Sequence, residues 1–176
     1  MGKRVRSEDQ NEAAMQLVNS LTSVEGVTGD VLSRTSGTQT RNIAHFQCEP
    51  SSWREVAEKM KYDHDIDHCS MITGIHWPDS SDKNWEVIYH FLRTGVTNPA
   101  ITDDGSSIIP NITDPKKLSG KEVPLEIQVN VAISETRTPS VPSVQDIWVG
   151  ADWNEKETWD LVGIDFDGHE GMRRVL

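Results

Sequence analysis

The sequence predicts an α+β fold: a mixed, largely antiparallel sheet with helices on one face and an extended C-terminal docking segment. Three observations lead there. Residues 84–93 and 124–134 alternate apolar and polar side chains with the period of two that turns one face of a strand inward. Residues 11–24 and 52–62 instead repeat apolar side chains with the period of an amphipathic helix. The elements also come in runs (helix, two strands, helix, three strands, terminal segment), which is the order expected when helices gather on one face of a sheet.

In chain order, Ala14, Leu17, Val18 and Leu21 make one helical face over 11–24, and Gly26 and Gly29 break it. Val31 and Leu32, the Ser/Thr/Gly stretch 33–40, and residues 43–48 read as two short strands about a turn. After Pro50, Ser52 and Glu55 have the spacing of a capping box, and Trp53, Val56, Ala57 and Met60 line a second helix reaching about Tyr62. The acidic run 63–69 follows. It places His64 and His68 four apart, but a metal needs more convergent ligands than two, so the run is expected to be a solvated connector.

Residues 69–76 read as extended and 78–83 as a polar turn. In 84–93, Trp85, Val87, Tyr89 and Phe91 share one face, and Glu86, Ile88, His90 and Leu92 the other. Leu125, Ile127, Val129, Val131 and Ile133 similarly face away from Glu126, Gln128, Asn130 and Ala132, and these two strands are expected to pair. Between them lies a long insertion, 94–123, rich in Pro, Gly, Asn and Asp. One α+β domain over 1–138 and a docking segment over 139–176 are the expected organisation.

Charge and composition narrow the function. With 28 acidic against 17 basic residues the net charge is −11, which argues against nucleic acid. The basic start, Lys3, Arg4 and Arg6, runs into Ser7-Glu8-Asp9 and not into an apolar stretch, so no signal peptide is expected. No apolar run is long enough to span a bilayer, so membrane attachment is expected only through partner subunits. Two cysteines, Cys48 and Cys69, are too few for an iron–sulfur cluster, no CxxC pair is present, and both are expected to be free buried thiols. Neither a dinucleotide fingerprint nor a phosphate-binding loop is present. No catalytic, cofactor-binding or metal-binding residue is therefore assigned.

The C-terminal segment is the densest in special residues, with three of the six Trp. Pro139 and Pro142 are expected to end the preceding strand, and Asn154 with Glu157 has capping-box spacing for a helix that Gly163 stops. Ile164 and Phe166 alternate with Asp165 and Asp167, and Gly168-His169 turns the chain toward Arg173 and Arg174. A free-standing metal-dependent or acid–base enzyme would have to use His169 with Asp165 or Asp167, or Glu155 with Glu157. Groups two apart on a helix do not face each other, so that reading is the weaker one. The predicted partner interface is Trp148, Trp153, Glu155, Glu157, Trp159, Asp160, His169, Arg173 and Arg174: aromatic anchors with charge partners.

The order Pro142-Ser143-Val144, Asp146-Ile147-Trp148, Ala151, Trp153, Glu155, Glu157, Asp160-Leu161, Gly163-Ile164, Phe166, Gly168-His169, Arg173-Arg174 and Leu176 closely resembles the signature of the thirty-kilodalton subunit of respiratory complex I. That protein is the C subunit of bacterial NADH-quinone oxidoreductase, with relatives in chloroplast-type and archaeal enzymes. The resemblance extends loosely over 69–176. Two departures are visible: Lys156 stands where the family carries Arg, and family members continue past the basic pair, whereas this sequence stops at Leu176.

The resemblance implies a cofactor-free accessory subunit in the peripheral arm of a complex I-like proton-translocating oxidoreductase, on the cytoplasmic face of the cell membrane. It would brace the quinone-site (D) and iron–sulfur (B) subunits, with iron–sulfur clusters, flavin and a quinone or methanophenazine held by partners. The donor would be NADH, ferredoxin or reduced deazaflavin; the acidic charge and long insertion favour an archaeal enzyme such as a methanogen deazaflavin dehydrogenase. A complex I-related membrane-bound nickel–iron hydrogenase is the alternative host.

Overall fold

One-sided burial organises the computed structural model, which describes residues 7–80, 83–95, 123–134 and 137–176. The chain runs α1 (Ser7–Leu21), β1 (Val27–Ser36), β2 (Gln39–Cys48), α2 (Pro50–Glu58), a π-helical turn (Lys59–Asp63), β3 (His68–His76), β4 (Trp85–Arg93), β5 (Leu125–Ile133), β6 (Ser140–Pro142), α3 (Ala151–Val162) and β7 (Asp165–Asp167). Five strands form one sheet in the order β1-β2-β5-β4-β3, and β6 pairs with β7 in a second sheet. Within the large sheet only β2 and β5 run parallel, so it is mixed and mostly antiparallel, as the sequence predicts. The strands 84–93 and 124–134 do pair, with Tyr89 opposite Val129.

The register puts Phe46, Val129, Tyr89 and Ile72 in one row across the sheet, all buried. Helices cover that face with Leu17 and Leu21 from α1 and Trp53, Val56 and Ala57 from α2. The Trp53 ring lies 4.3 Å from that of Tyr89. Burying each such side chain contributes about 1.5–3 kcal/mol. The other face carries Arg41, Glu126, Gln128 and His90, partly or fully exposed, with Arg41 and Glu126 3.1 Å apart.

Several local expectations are corrected. β1 and β2 are ten residues each, not two short strands. Their polar ends sit at a sheet edge in water, where pairing needs no apolar alternation, and the turn is only Gly37-Thr38. Gly29 lies inside β1: a Cβ there would come within 2.7 Å of the Phe46 ring, so the residue permits close packing and breaks nothing. The first helix ends at Leu21, short of Val24.

The Ser52–Glu55 capping box does not form. Pro50 opens α2, the Ser52 hydroxyl donates to the Glu25 carbonyl at 2.6 Å, and Glu55 lies 3.7 Å from Lys59. Pro139 precedes β6 and Pro142 is its last residue, and neither ends β5, which stops at Ile133. The third helix starts at Ala151, three residues before Asn154, whose amide donates back to the Gly150 carbonyl at 2.7 Å. Gly163 does stop it, in a left-handed conformation (φ 86°). Residues 96–122 of the expected insertion, and the basic start, lie outside the described residues.

Candidate functional site

The candidate site is the stretch from β6 to the chain end, and its position follows from two close approaches. A Cβ on Gly74 of β3 would lie 2.7 Å from the Thr158 methyl, so the missing side chain lets α3 sit directly on that strand. A Cβ on Gly150 would lie 2.9 Å from the Cys69 carbonyl, so the turn ahead of α3 abuts the same strand. Val141, Val144, Ile147, Trp148, Ile164 and Phe166 then join the main core, and the segment is folded against the sheet.

Two predicted interface residues turn inward. Trp148 is 2% exposed, donates its indole N–H to the Ile66 carbonyl at 2.8 Å, and places its ring 4.5 Å from Phe91. Glu155 is fully buried, and its carboxylate accepts the Ser143 hydroxyl at 2.6 Å and the Val144 N–H at 2.8 Å. Burial pushes the Glu155 carboxyl up to about 7, against the pull of those two hydrogen bonds, and Asp152 and Asp146 add to the rise. These two residues fasten the segment to its own fold.

His169 packs beside them. Its Nε2 lies 3.3 Å from an Asp152 oxygen and 3.8 Å from Glu155, and its side chain is 1% exposed. Lys156, also buried, donates to both Asp152 oxygens at 2.8 and 2.9 Å. His169 therefore meets Asp152 and Glu155, a cluster the sequence reading missed, since it linked His169 with Asp165 and Asp167. Asp165 instead accepts the half-buried Trp159 indole N–H at 2.9 Å. Glu155 and Glu157 diverge, one buried and one exposed, so they make no acid–base pair.

The remaining predicted residues lie at or near the surface. Trp153 is 61% exposed, and Glu157, Arg173 and Arg174 are exposed as well. Asp160 gathers the chain end: it accepts the backbone N–H groups of Val175 and Leu176 at 3.1 Å each, with Arg174 3.7 Å away. Arg54, also missed, grips Asp146 through two bonds of 2.7 and 2.6 Å and donates to the Ser143 carbonyl at 3.1 Å. Its guanidinium holds the Asp146 carboxyl below the usual carboxylate range. Arg54, Ser143, Asp146, Asp167, Gly168 and Glu170 line an open cleft of about 460 Å³.

Away from this segment, His64 bonds the Ser20 hydroxyl at 2.8 Å. Among the described residues no three or more His, Cys, Asp or Glu side chains gather as a metal site. Cys48 and Cys69 are free and buried, and burial pushes both thiols up to about 12. Inert thiols and inward-turned carboxylates leave an outer surface of aromatic and charged groups, an arrangement suited to contact.

The sequence is similar to that of known proteins. The sequence model of the family described as the respiratory-chain NADH dehydrogenase, 30 Kd subunit, matches residues 46–176. That span begins ahead of residue 69, the start of the stretch over which the resemblance is loosely expected. The C subunit of NADH-quinone oxidoreductase from Rhizobium rhizogenes is 34% identical over 105 residues, 60% of this chain and 38% of that protein. The J subunit of NAD(P)H-quinone oxidoreductase from a Synechococcus species is 45% identical over 51 residues, 29% of this chain and 26% of its own. The matched stretch thus covers less than two thirds of these relatives.

Two solved structures share the fold. The trypsin-resistant fragment of Nqo5 superposes with a TM-score of 0.56 at 20% identity, over 88% of this chain and 96% of the fragment. A chain of the membrane-bound sulfane sulfur reductase, an archaeal respiratory membrane complex, gives 0.60 at 19%, over 90% and 73%.

Proposed function

The chain belongs to the family of the 30 kDa subunit of the respiratory-chain NADH dehydrogenase, and from that premise we propose that it is a cofactor-free bracing subunit of a membrane-bound, proton-translocating oxidoreductase. The observation that carries the reading is the split within the C-terminal segment. Trp148 ties it to the sheet and Glu155 ties helix α3 to the turn at Ser143–Val144, while Trp153, Glu157, Arg173 and Arg174 face outward from the same base. A surface held in place beforehand loses little conformational freedom on association, which favours binding.

The partners in this reading are the quinone-site subunit and the subunit holding the terminal iron–sulfur cluster. Electrons pass between those partners, from NADH, ferredoxin or reduced deazaflavin to a quinone or methanophenazine, and this chain braces them. No described helix is long and apolar enough to cross a membrane, so attachment at the cytoplasmic face runs through the partners. The test is purification of the assembly in mild detergent through a tag on this chain. Arg173→Ala with Arg174→Ala is expected to release the other subunits; recovery equal to the unaltered chain would refute the docking role of the basic pair.

A further inference from the structure

Helix α3 has two faces with separate tasks. Ala151, Glu155 and Thr158 are buried, and Thr158 and Val162 close on Gly74. On the opposite side Trp153 is 61% exposed and Leu161 is 62% exposed, with exposed Glu157 between them. Val149, four residues before Trp153, is 89% exposed. Residues four apart on a helix stand one above the other, so Trp153, Glu157 and Leu161 make a single ridge. Val149, in the turn ahead of the helix, extends it to about 18 Å. Leu176, 82% exposed, is brought to the same helix by its backbone bond to Asp160. A lone exposed Leu needs no explanation, but a row of large apolar groups left mostly in solvent does.

We propose that this ridge seats an amphipathic helix of a partner subunit, carrying branched aliphatic side chains and a Lys or Arg opposite Glu157. The proposal rests on the reading that the chain works inside a multi-subunit assembly. A helix suits the shape, because a row at four-residue spacing fits the groove between two such rows on a second helix, and 18 Å is roughly three to four helical turns. A cation suits the charge. Glu157 has no ion-pair partner among the described residues, and covering a lone carboxylate with an apolar partner is unfavourable unless a positive group meets it. The chain's net charge of −11 also favours a basic partner surface.

The experiment uses the whole assembly, purified in mild detergent through a tag on the full chain. Trp153→Glu with Leu161→Glu is expected to lower recovery of the other subunits by roughly tenfold or more. Tyr62→Glu, at a position 66% exposed but away from α3, should leave recovery within about twofold. Both sets of positions lie on the surface, and an unchanged circular dichroism spectrum confirms that the variants fold. A photo-crosslinking amino acid at position 153 should then join a helical peptide of a different subunit with Lys or Arg within one turn. Charge reversal at that residue should rescue Glu157→Lys.

Normal recovery of the ridge variant, or a crosslink to a lipid or to a second copy of this chain, overturns the proposal. If the unaltered chain brings down no other subunit, the assembly role itself fails. If it assembles and the ridge variant assembles equally well, only the ridge is lost.

Discussion

Two buried carboxylates of this molecule, one in the large sheet and one in the C-terminal segment, behave in opposite ways. Glu86, in β4, is 2% exposed; Lys83 lies 2.8 Å away, and Asn130 and the Trp77 indole each donate at 3.0 Å. Burial raises its pKa, but Lys83 with Asn130 and Trp77 more than offsets that, and the carboxyl is held below its ordinary value of 4.5. Glu155 is also shut off from solvent but lies deeper in the protein, with two neutral donors and with Asp152 and Asp146 as charged neighbours, so burial wins and the carboxyl rises to about 7. Burial alone does not decide the charge of a buried acid; the sign of its nearest neighbours does. The sheet corner is an ion pair already made, whereas the C-terminal segment holds a carboxyl that can gain or lose its proton near neutrality.

The comparison can be broken most forcefully at Glu155. Glu155→Ala leaves the buried Ser143 hydroxyl and Val144 N–H without acceptors and opens a cavity, so it should lower unfolding free energy by about 3 kcal/mol in urea titrations at pH 7. An unchanged midpoint would mean that the segment is not fastened where the hydrogen bonds place it.

Stability against pH sharpens it next. Glu155 has a raised folded pKa, so its contribution is complete below its ordinary value of 4.5 and is lost as pH rises through about 7. At about 1.4 kcal/mol per pKa unit the loss has an upper bound of about 3–4 kcal/mol, and Glu155→Gln should remove this slope while keeping an acceptor for Val144. Glu86 has a lowered folded pKa, so its contribution is complete above its ordinary value of 4.5 and is lost as pH falls below it. Urea midpoints at a series of pH values for Glu155→Gln and Glu86→Gln should therefore diverge in opposite directions, and parallel curves would contradict the contrast. The smallest effect is expected from Lys83→Met, which takes the cation from Glu86. With Lys83 still partly in water, the loss at pH 7 should be about 1–2 kcal/mol, and the carboxyl should titrate higher by NMR.

What was legible in the sequence was whatever depends on near neighbours. Trp85 to Phe91 announces a strand because one-sided burial imposes a period of two, and the same reasoning places Leu125 to Ile133 beside it. The hairpin was half hidden, because Ser33 to Ser36 at a wet edge carry no alternation to read. Asn154 and Glu157 imitate a helix start, yet the true start is set by the turn at Val144–Trp148, closed by backbone bonds of 3.1 and 3.0 Å.

Within the candidate site the outward residues Trp153, Glu157, Arg173 and Arg174 could be found, since their types are those of contact surfaces. Trp148 and Glu155 could not be sorted from them. Their burial depends on Ile66 and on Ser143 with Val144, and the Ile66 bond spans 82 residues. Arg54 and Asp146, 92 residues apart, are invisible to spacing for the same reason. Val149 and Leu161 have no place in the predicted interface, because apolar type alone does not tell which way a helix face points.

The parallel pairing of β2 with β5 has a consequence in time. Ile43 stands beside Glu126, so the central seam of the sheet joins residues 83 positions apart, while β1 with β2 and β3 with β4 are local hairpins. As the chain leaves the ribosome, two ribbons form first, and the strand that unites them emerges last of the five. Until then β2 and β4 each present an open edge to any other strand nearby. The molecule is most prone to aggregation not at its surface when finished but at its centre while being made.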